Sequence, residues 1–516
     1  MDTLLPEYTA AVLVLSLSAA VSLWALIWNC QSLLSKLPYP PGPAPTSVIS
    51  GNKSQITSTP RVWRKYKEWA EQYGNIIYLR SYRQPIIIIN SFEDAVELLE
   101  KRSRIYSSRP VSPMYKLMGF NNSTAMREYG PEWRKHRRIF QQSFKPDSSL
   151  TYRPIQTRKM YDMLHRFLNT PEDFEAHIKT LAGSIVLLLI YGYDVAPKDD
   201  HYVKLVESTR PAFALGLSPK WLVNNFPVLR HIPSWFPGAS FKQYASAMSC
   251  RNIEAREETY KYAMTAPASS GSMHTPLVCS LSENYSSPTD LSLLKEAAAS
   301  GYGAGVGTTQ STIMIFMEAM ILFPDVQKKA QADVDRVTRG KRLPEYDDQE
   351  SLPYIQALVR EVVRWKPLLP LGLAHANNEN DTYKGYYIPK DSIVHPNVWA
   401  MTRDPLRYKD PENFNPNRFL TAEGGLNDDD MTYVFGFGRR ICPGRHLGLA
   451  TVWLAVATIL ASFDLGRKKD ASGNDLPLSI KYTEFGLSSY PLPFECSITP
   501  RSEDARQLIL EKRYQA

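Results

Sequence analysis

Charged and apolar positions are distributed unevenly along the chain. Residues 8–28 carry no charge, and the uncharged run continues to Ser35. About 20 apolar residues suffice to cross a bilayer as a helix, so residues 1–37 are expected to form an N-terminal transmembrane anchor. Asp2 and Glu7 precede the run, whereas Lys36, Lys53, Arg61, Arg64 and Lys65 follow it. The positive-inside rule then places the rest of the chain in the cytosol. A cleaved signal peptide fits less well, because no basic segment leads the run and the run is long for one. Pro38, Pro40, Pro41, Pro43 and Pro45 predict a stiff, extended connector.

Beyond the connector the pattern predicts helices with a few strands. Residues 76–79 and 85–90 read as a hairpin, the second strand being a β-branched run. Residues 94–102 read as a short amphipathic helix and 132–140 as a strongly basic one. Residues 152–193 read as two helices broken near Pro171. Residues 196–237 are rich in proline and aromatics, including Trp221, Phe226, Trp235 and Phe236. Two readings stand for them: a lid or membrane-dipping surface, or loops packed by aromatics. Residues 267–288, rich in Ser, Pro and Gly, predict an exposed loop. Residues 291–323 predict one long helix, and 447–463 a buried one. Residues 383–395 read as two short strands turning at Pro389-Lys390-Asp391. No repeat and no linker divides residues 38–516, so they form one domain, mainly α with a small β lobe (α+β).

Composition narrows the setting. Of 516 residues, 43% are hydrophobic, enough for a large core. Cys30, Cys250, Cys279, Cys442 and Cys496 are odd in number and scattered. That argues against a disulfide framework and for a reducing compartment. The formal net charge is +8, but the basic residues are dispersed and no nucleic-acid-binding module is present. Acidic proteins and membrane headgroups are the better partners for such a surface.

The chemistry concentrates in Phe435-Gly436-Phe437-Gly438-Arg439-Arg440-Ile441-Cys442-Pro443-Gly444. One cysteine sits in a glycine-punctuated loop between arginines and an apolar helix. The helix N-terminus favours its thiolate. Gly438 and Gly444 permit close approach of backbone to a flat macrocycle, and Arg440 is placed to meet a carboxylate on it. A lone cysteine before an apolar helix is ordinarily a buried structural residue, but five fixed positions in the order F-x-x-G-x-R-x-C-x-G are hard to meet by chance. This loop resembles the haem-binding loop of the cytochrome P450 monooxygenases, matching at Phe435, Gly438, Arg440, Cys442 and Gly444. In that family the cysteine thiolate is the axial ligand of haem b iron and donates electron density that favours O–O cleavage.

The resemblance extends over residues 38–500. Glu361 and Arg364, three apart on one helix face, resemble the family's helix pair, and Asn415-Pro416-Asn417-Arg418-Phe419 resembles its P-E-R-F segment, with Asn417 replacing Glu. The implied structural triad is Glu361, Arg364 and Arg418. Trp133, Arg137 and His375 occupy positions that imply haem-propionate contacts. The oxygen-activating helix departs from the pattern. Its middle reads Gly301-Tyr302-Gly303-Ala304-Gly305-Val306-Gly307-Thr308-Thr309, with Gly307 where the family has Asp or Glu. Each glycine costs a helix about 1 kcal/mol relative to alanine, which implies a close approach or a local opening. No nucleotide-binding glycine motif is present. Thr308 retains the family's catalytic hydroxyl, and proton delivery would rely on water, with Thr309 as a candidate organiser.

The resemblance implies the P450 fold and monooxygenation of a lipophilic small molecule. Electrons would come from a membrane-bound NADPH–cytochrome P450 reductase, with cytochrome b5 as a second candidate donor. Residues 114–120, 297–304, 368–373 and 485–487 are the expected substrate lining. Residues 370–376, 381–390 and 439–448 resemble fungal microsomal members of secondary metabolism, pointing to a terpenoid or polyketide at the endoplasmic reticulum. The alternatives are a haem-thiolate isomerase or dehydratase needing no reductase, and a non-catalytic haem sensor.

Overall fold

Proline and glycine set the boundaries of the elements that carry the site. The computed structural model describes residues 37–512 except 197–198, 217, 219–220, 266–274 and 484–485, so the expected anchor lies outside the described residues. Helix α1 (Val62–Tyr73) ends at Gly74. It leads into β1 (Ile76–Ser81) and β2 (Gln84–Ile89), which pair antiparallel as the β-branched run predicts. Residues 94–102 are helical, but as one α-turn, Phe92–Ala95, capped by Ser91 and continued by a π-turn, Val96–Lys101.

Helices α2 (Pro131–Phe144) and α3 (Arg153–Asn169) each place a proline in the first turn, where its missing N–H is harmless. Helix α4 (Phe174–Tyr191) follows the expected break at Pro171 and ends at Gly192 in the left-handed region. Residues 196–237 are in part packed, as the second reading expects. Ala212 and Val223, on the short helices Arg210–Leu215 and Leu222–Asn225, pack with Met114, Tyr115 and Phe241. Trp235 and Val228 nevertheless remain 79% and 70% exposed. Phe241 lies in the first turn of α5 (Ser240–Thr265).

The expected loop before the long helix is partly wrong. Leu277–Ser282 is helical and buries Leu277 and Val278, apolar positions that the Ser/Pro/Gly-rich composition had masked. The long helix, α6 (Pro288–Leu322), is capped by Ser287 and continuous. It turns by 108° into α7 (Pro324–Thr338). Helix α8 (Pro353–Trp365) ends before Pro367.

Strands β3 (His375–Ala376), β4 (Asp381–Tyr383), β5 (Tyr386–Ile388) and β6 (Ile393–Pro396) correct the reading of residues 383–395. β5 pairs with β4 through a turn at Lys384-Gly385, both at positive φ, and not with β6. β6 joins β2 in parallel from Ile86 onward, completing the sheet order β1-β2-β6-β3. Pro85 falls just outside that ladder, so its missing N–H breaks no bond to β6. Helix α9 (Arg445–Ser462) follows the cysteine loop, and β7 (Phe463–Gly466) pairs with β8 (Ser497–Pro500). Segments Pro171–Tyr191 and Arg445–Ser462 are long and apolar enough to cross a membrane, yet 72% and 67% of them is buried inside the protein. They are core helices. The larger apolar core gathers α3, α4, α6, α8 and α9, and a second lies under the β lobe.

One buried ion cluster ties these parts together. Arg364 donates from Nε to Glu361 Oε2 (2.6 Å) and from Nη2 to Glu361 Oε1 (2.8 Å), with both side chains fully buried. Arg418 donates to the same carboxylate at 3.3 Å. The Asn415 N–H donates to it at 2.7 Å, and Arg364 also reaches the carbonyls of Thr402 and Pro411. The expected triad therefore forms, and it staples α8 to the segment leading to the cysteine loop. Asn417, in place of the usual Glu, is exposed and takes a bond from Lys329. Removing one partner of a buried pair leaves an uncompensated charge, at a cost of about 3–5 kcal/mol. Glu361→Gln is expected to lower unfolding stability by that order in denaturant titration; a loss under about 1 kcal/mol would show the cluster to be unimportant.

Candidate active site

The cysteine loop is folded by its own backbone before any ligand is considered. The Cys442 N–H donates to Phe435 O at 2.9 Å, closing the loop, and Arg440 N–H donates to Phe437 O at 3.1 Å. Phe437 is fully buried under the β lobe, and Phe435 is half-buried. Gly438 has φ +50°, and a Cβ there would lie 2.4 Å from the Leu99 carbonyl oxygen. The close approach it permits among the described residues is to the π-turn. Gly444 caps α9, and a Cβ there meets no atom within 4 Å.

Cys442 keeps part of its surface accessible, but its sulfur is deeply enclosed. Burial raises the thiol pKa, while the Gly444 and Arg445 N–H groups and the Arg137 and Arg445 charges act to lower it. The helix-end effect expected from the sequence is present and outweighed by burial. A cation bound at the sulfur would supply the missing counter-charge, as metals do for thiolates.

Above the loop lies an excess of buried positive charge. Arg440 packs its guanidinium over the Trp133 ring at 4.3 Å and donates to the carbonyls of Ser107 (2.7 Å) and Arg127 (2.8 Å). Arg137 donates to Ile441 O at 2.6 Å. Arg109, which the sequence reading missed, donates to the carbonyls of Ala125, Leu373 and Ala374 at 2.7–2.9 Å. His375 Nδ1–H donates to Tyr106 O at 2.7 Å, which fixes its tautomer when neutral. Among the described residues no carboxylate pairs with Arg109, Arg137 or Arg440. Burial, reinforced by Arg109 and Arg137, pushes the Arg440 pKa down to about 8, and burial pushes Arg109 down to about 9. Burial and the nearby arginines hold His375 well below the usual histidine range. Two buried guanidiniums and a half-buried third without a counter-ion are costly; a ligand with two carboxylates beside Trp133 would offset most of that charge. A cavity of about 550 Å³ opens beside Trp133, with Ser112, Tyr115, Met126 and Tyr129 in its wall.

Helix α6 packs against α2, α4, α8 and α9. Gly303, Ala304 and Thr308 are exposed in the middle of this otherwise buried helix, with Ala304 and Thr308 one turn apart on the same face. Thr308 Oγ1 donates to Ala304 O at 2.8 Å, and Thr309 is half-buried at the next position. Gly301 and Gly305 mark close approach, whereas a Cβ on Gly303 would meet no atom within 4 Å, and the helix itself stays unbroken. A Cβ on Gly301 would lie 2.9 Å from Ile190, and one on Gly305 2.9 Å from Val186. At Gly307 the facing group is a cation: the Arg210 guanidinium carbon lies 3.4 Å from where a Cβ would be. Sequence reasoning missed Arg210, since nothing local links it to a glycine almost a hundred residues away. The expected lining is only partly open. Met114, Tyr115 and Met118 are buried in the roof cluster, Ala297, Ala298 and Tyr302 in the helical core, and residues 368, 369 and 371–373 are half-exposed. Phe485 lies outside the described residues, and Leu487 is half-exposed.

A helical core joined to a small β lobe, with a lone enclosed thiol under a cationic rim, defines a haem-thiolate protein. The family model described as Cytochrome P450 matches residues 40–488. A cytochrome P450 monooxygenase of Coprinopsis cinerea, COX1, is 39% identical over 92% of this chain and 93% of its own. The monooxygenase ple1 of Rhodocybe pseudopiperita is 38% identical over 95% of both chains, and monooxygenase 208 of Postia placenta is 37% identical over 96% of this chain and 97% of its own. The chain belongs to the cytochrome P450 family, and it is a cytochrome P450 monooxygenase. The family carries a haem-thiolate iron, and the residues present fit that group: one enclosed sulfur, an aromatic wall and unpaired arginines for two propionates. Replacing Arg109 or Arg440 by Gln is expected to speed haem loss to excess apomyoglobin severalfold, followed by the Soret-to-280 nm absorbance ratio; retention equal to wild type would deny these residues a role in holding the group.

Proposed function

We propose that this chain is a membrane-anchored monooxygenase that oxidises a lipophilic small molecule with dioxygen and NADPH-derived electrons, in fungal secondary metabolism. The observation that carries the proposal is the enclosed Cys442 thiol beneath the unpaired Arg109, Arg137 and Arg440. In this reading Cys442 is the axial ligand of haem b, and Trp133, Arg137, His375 and Arg440, joined by Arg109, receive the propionates. Bound haem supplies dioxygen activation and oxygen insertion. The protein's own residues hold the sulfur away from water, orient the macrocycle and manage protons.

Thr308 is the proposed catalytic hydroxyl. Its bond to Ala304 O leaves the oxygen lone pairs free to accept, and a shift of that bond frees the proton for donation. The carboxylate usual at position 307 is absent, so water beside Thr308, Thr309 and the Arg210 guanidinium carries the protons. Arg210 lies over the Tyr490 ring and has no ion-pair partner among the described residues.

The expected redox partner is an NADPH–cytochrome P450 reductase, with cytochrome b5 as a second donor. Arg134, Arg138 and Arg439 are exposed on α2 and the cysteine loop, and suit an acidic docking face. Endoplasmic-reticulum anchoring rests on the uncharged run of residues 8–28, and the exposed Trp235, Phe236 and Val228 suit a second contact with lipid. A terpenoid or polyketide substrate fits the apolar lining.

Oxygen consumption that requires both NADPH and the reductase supports this reading. Product formation without a reductase would point to an isomerase or dehydratase, and no turnover to a sensor. Gly307→Asp places a carboxylate against Arg210 in an unbroken helix. It is expected to raise the fraction of electrons recovered in product severalfold; loss of product would show instead that the glycine makes room for substrate or water.

A further inference from the structure

A second site of concentrated positive charge lies apart from the cysteine loop. The start of α1, the end of α8 and residues 399–403 enclose a cleft of about 50 Å³. Its walls carry Arg61, Arg64, Lys366 and Arg403. The one carboxylate in the wall among the described residues, Glu412, is engaged by Arg403 Nε at 2.9 Å. Arg403 spends its other nitrogens on Thr402 Oγ1 (3.0 Å) and Trp365 O (2.7 Å). Glu318, behind the cleft, accepts the Tyr482 hydroxyl, and burial raises its carboxyl pKa.

Among the described residues the remaining cations make no ion pair. Lys366 Nζ lies over the Trp365 and Tyr482 rings at 4.6 and 4.7 Å and has no ion pair or hydrogen bond among the described residues. Burial lowers its pKa; Glu318 opposes this, while Arg403, Arg64 and Arg61 reinforce it. Arg61 Nε is buried without a hydrogen-bond partner. Arg61 is also a non-glycine residue at φ +50°, a left-handed backbone state that an L-residue adopts only at a cost. The strain sets Arg61 at the N-terminal end of α1, where the helix dipole adds to the positive potential. The Arg64 and Arg403 guanidiniums both lie over Trp399, at 5.4 and 4.3 Å.

We propose that this cleft binds a phosphate group, as a free anion or as a phosphomonoester on a larger molecule. Lys366, Arg61 and Arg64 donate to its oxygens, and the tryptophans wall it from water. The volume admits one tetrahedral oxyanion, and several converging cations favour a multiply charged one over chloride. Both a soluble phosphate and an anionic lipid headgroup offer this chemistry.

The test uses the haem-loaded full chain in detergent, at fixed ionic strength in phosphate-free buffer. Thermal unfolding is followed while inorganic phosphate, dihexanoyl phosphatidic acid or dihexanoyl phosphatidylcholine is titrated. Saturable stabilisation by phosphate or phosphatidic acid, not matched by phosphatidylcholine, is expected. Lys366→Gln and Arg64→Gln, whose side chains hold no hydrogen bond among the described residues, are each expected to weaken it roughly tenfold, with haem content unchanged. Lys341→Gln, an exposed control, is expected to leave it intact. Roughly tenfold tighter binding of phosphatidic acid than of phosphate assigns the site to a lipid headgroup, and equal or tighter binding of phosphate to a soluble anion. No saturable shift with either probe, or wild-type affinity in both variants, overturns the proposal.

Discussion

Glu361 is the anion on which the rest of the architecture turns. Its carboxylate is fully buried and holds two guanidiniums and a backbone N–H at once. Isolated, it could not stay charged in an apolar core; paired, it converts the end of α8 into a fixed point. Arg364 extends that point to the carbonyls of Thr402 and Pro411, and Arg418 to those of Lys409 and Asn413. The irregular stretch between β6 and the cysteine loop, which has little regular structure of its own, is thereby held to a helix. The loop inherits its position from this clamp on one side and from α9 on the other.

Opposite charge logic governs the site itself. At Glu361 the protein balances its charges internally. At Arg109, Arg137 and Arg440 it does not. The same contrast appears in the Lys366 cleft, where buried or half-buried cations outnumber available carboxylates. A ligand from outside the chain would restore that balance, and beside the Cys442 thiol the haem dianion is the proposed partner. At Gly307, where the family pattern has a carboxylate, the facing group is the Arg210 guanidinium.

What the sequence made legible was local. The cysteine loop, the Glu361–Arg364 spacing and the long helix could be read because their residues lie within a few turns of one another. Trp133 and Arg137 were singled out by their likeness to family positions, with which their four-residue spacing on one helix face agrees. Arg109 and Arg210 were not found, since each is a single arginine whose meaning depends on residues brought near only by the fold. The hairpin at β4 and β5 was misassigned because Lys384-Gly385, a two-residue turn requiring positive φ, was read as strand while the proline at 389 drew the turn. Leu277 and Val278 were lost in a Ser/Pro/Gly-rich composition although they are deeply buried.

The central claim is that Cys442 presents a thiolate to haem iron in a site closed by the unpaired arginines. The most direct measurement is the carbon monoxide difference spectrum of the dithionite-reduced, haem-loaded full chain, beside Cys442→Ser. The account predicts the long-wavelength Soret band of a thiolate-ligated carbonyl adduct in the wild type, and its complete loss in the serine variant with haem still bound. A wild-type band at the position given by a neutral thiol or histidine ligand, or one unchanged by the substitution, would contradict it.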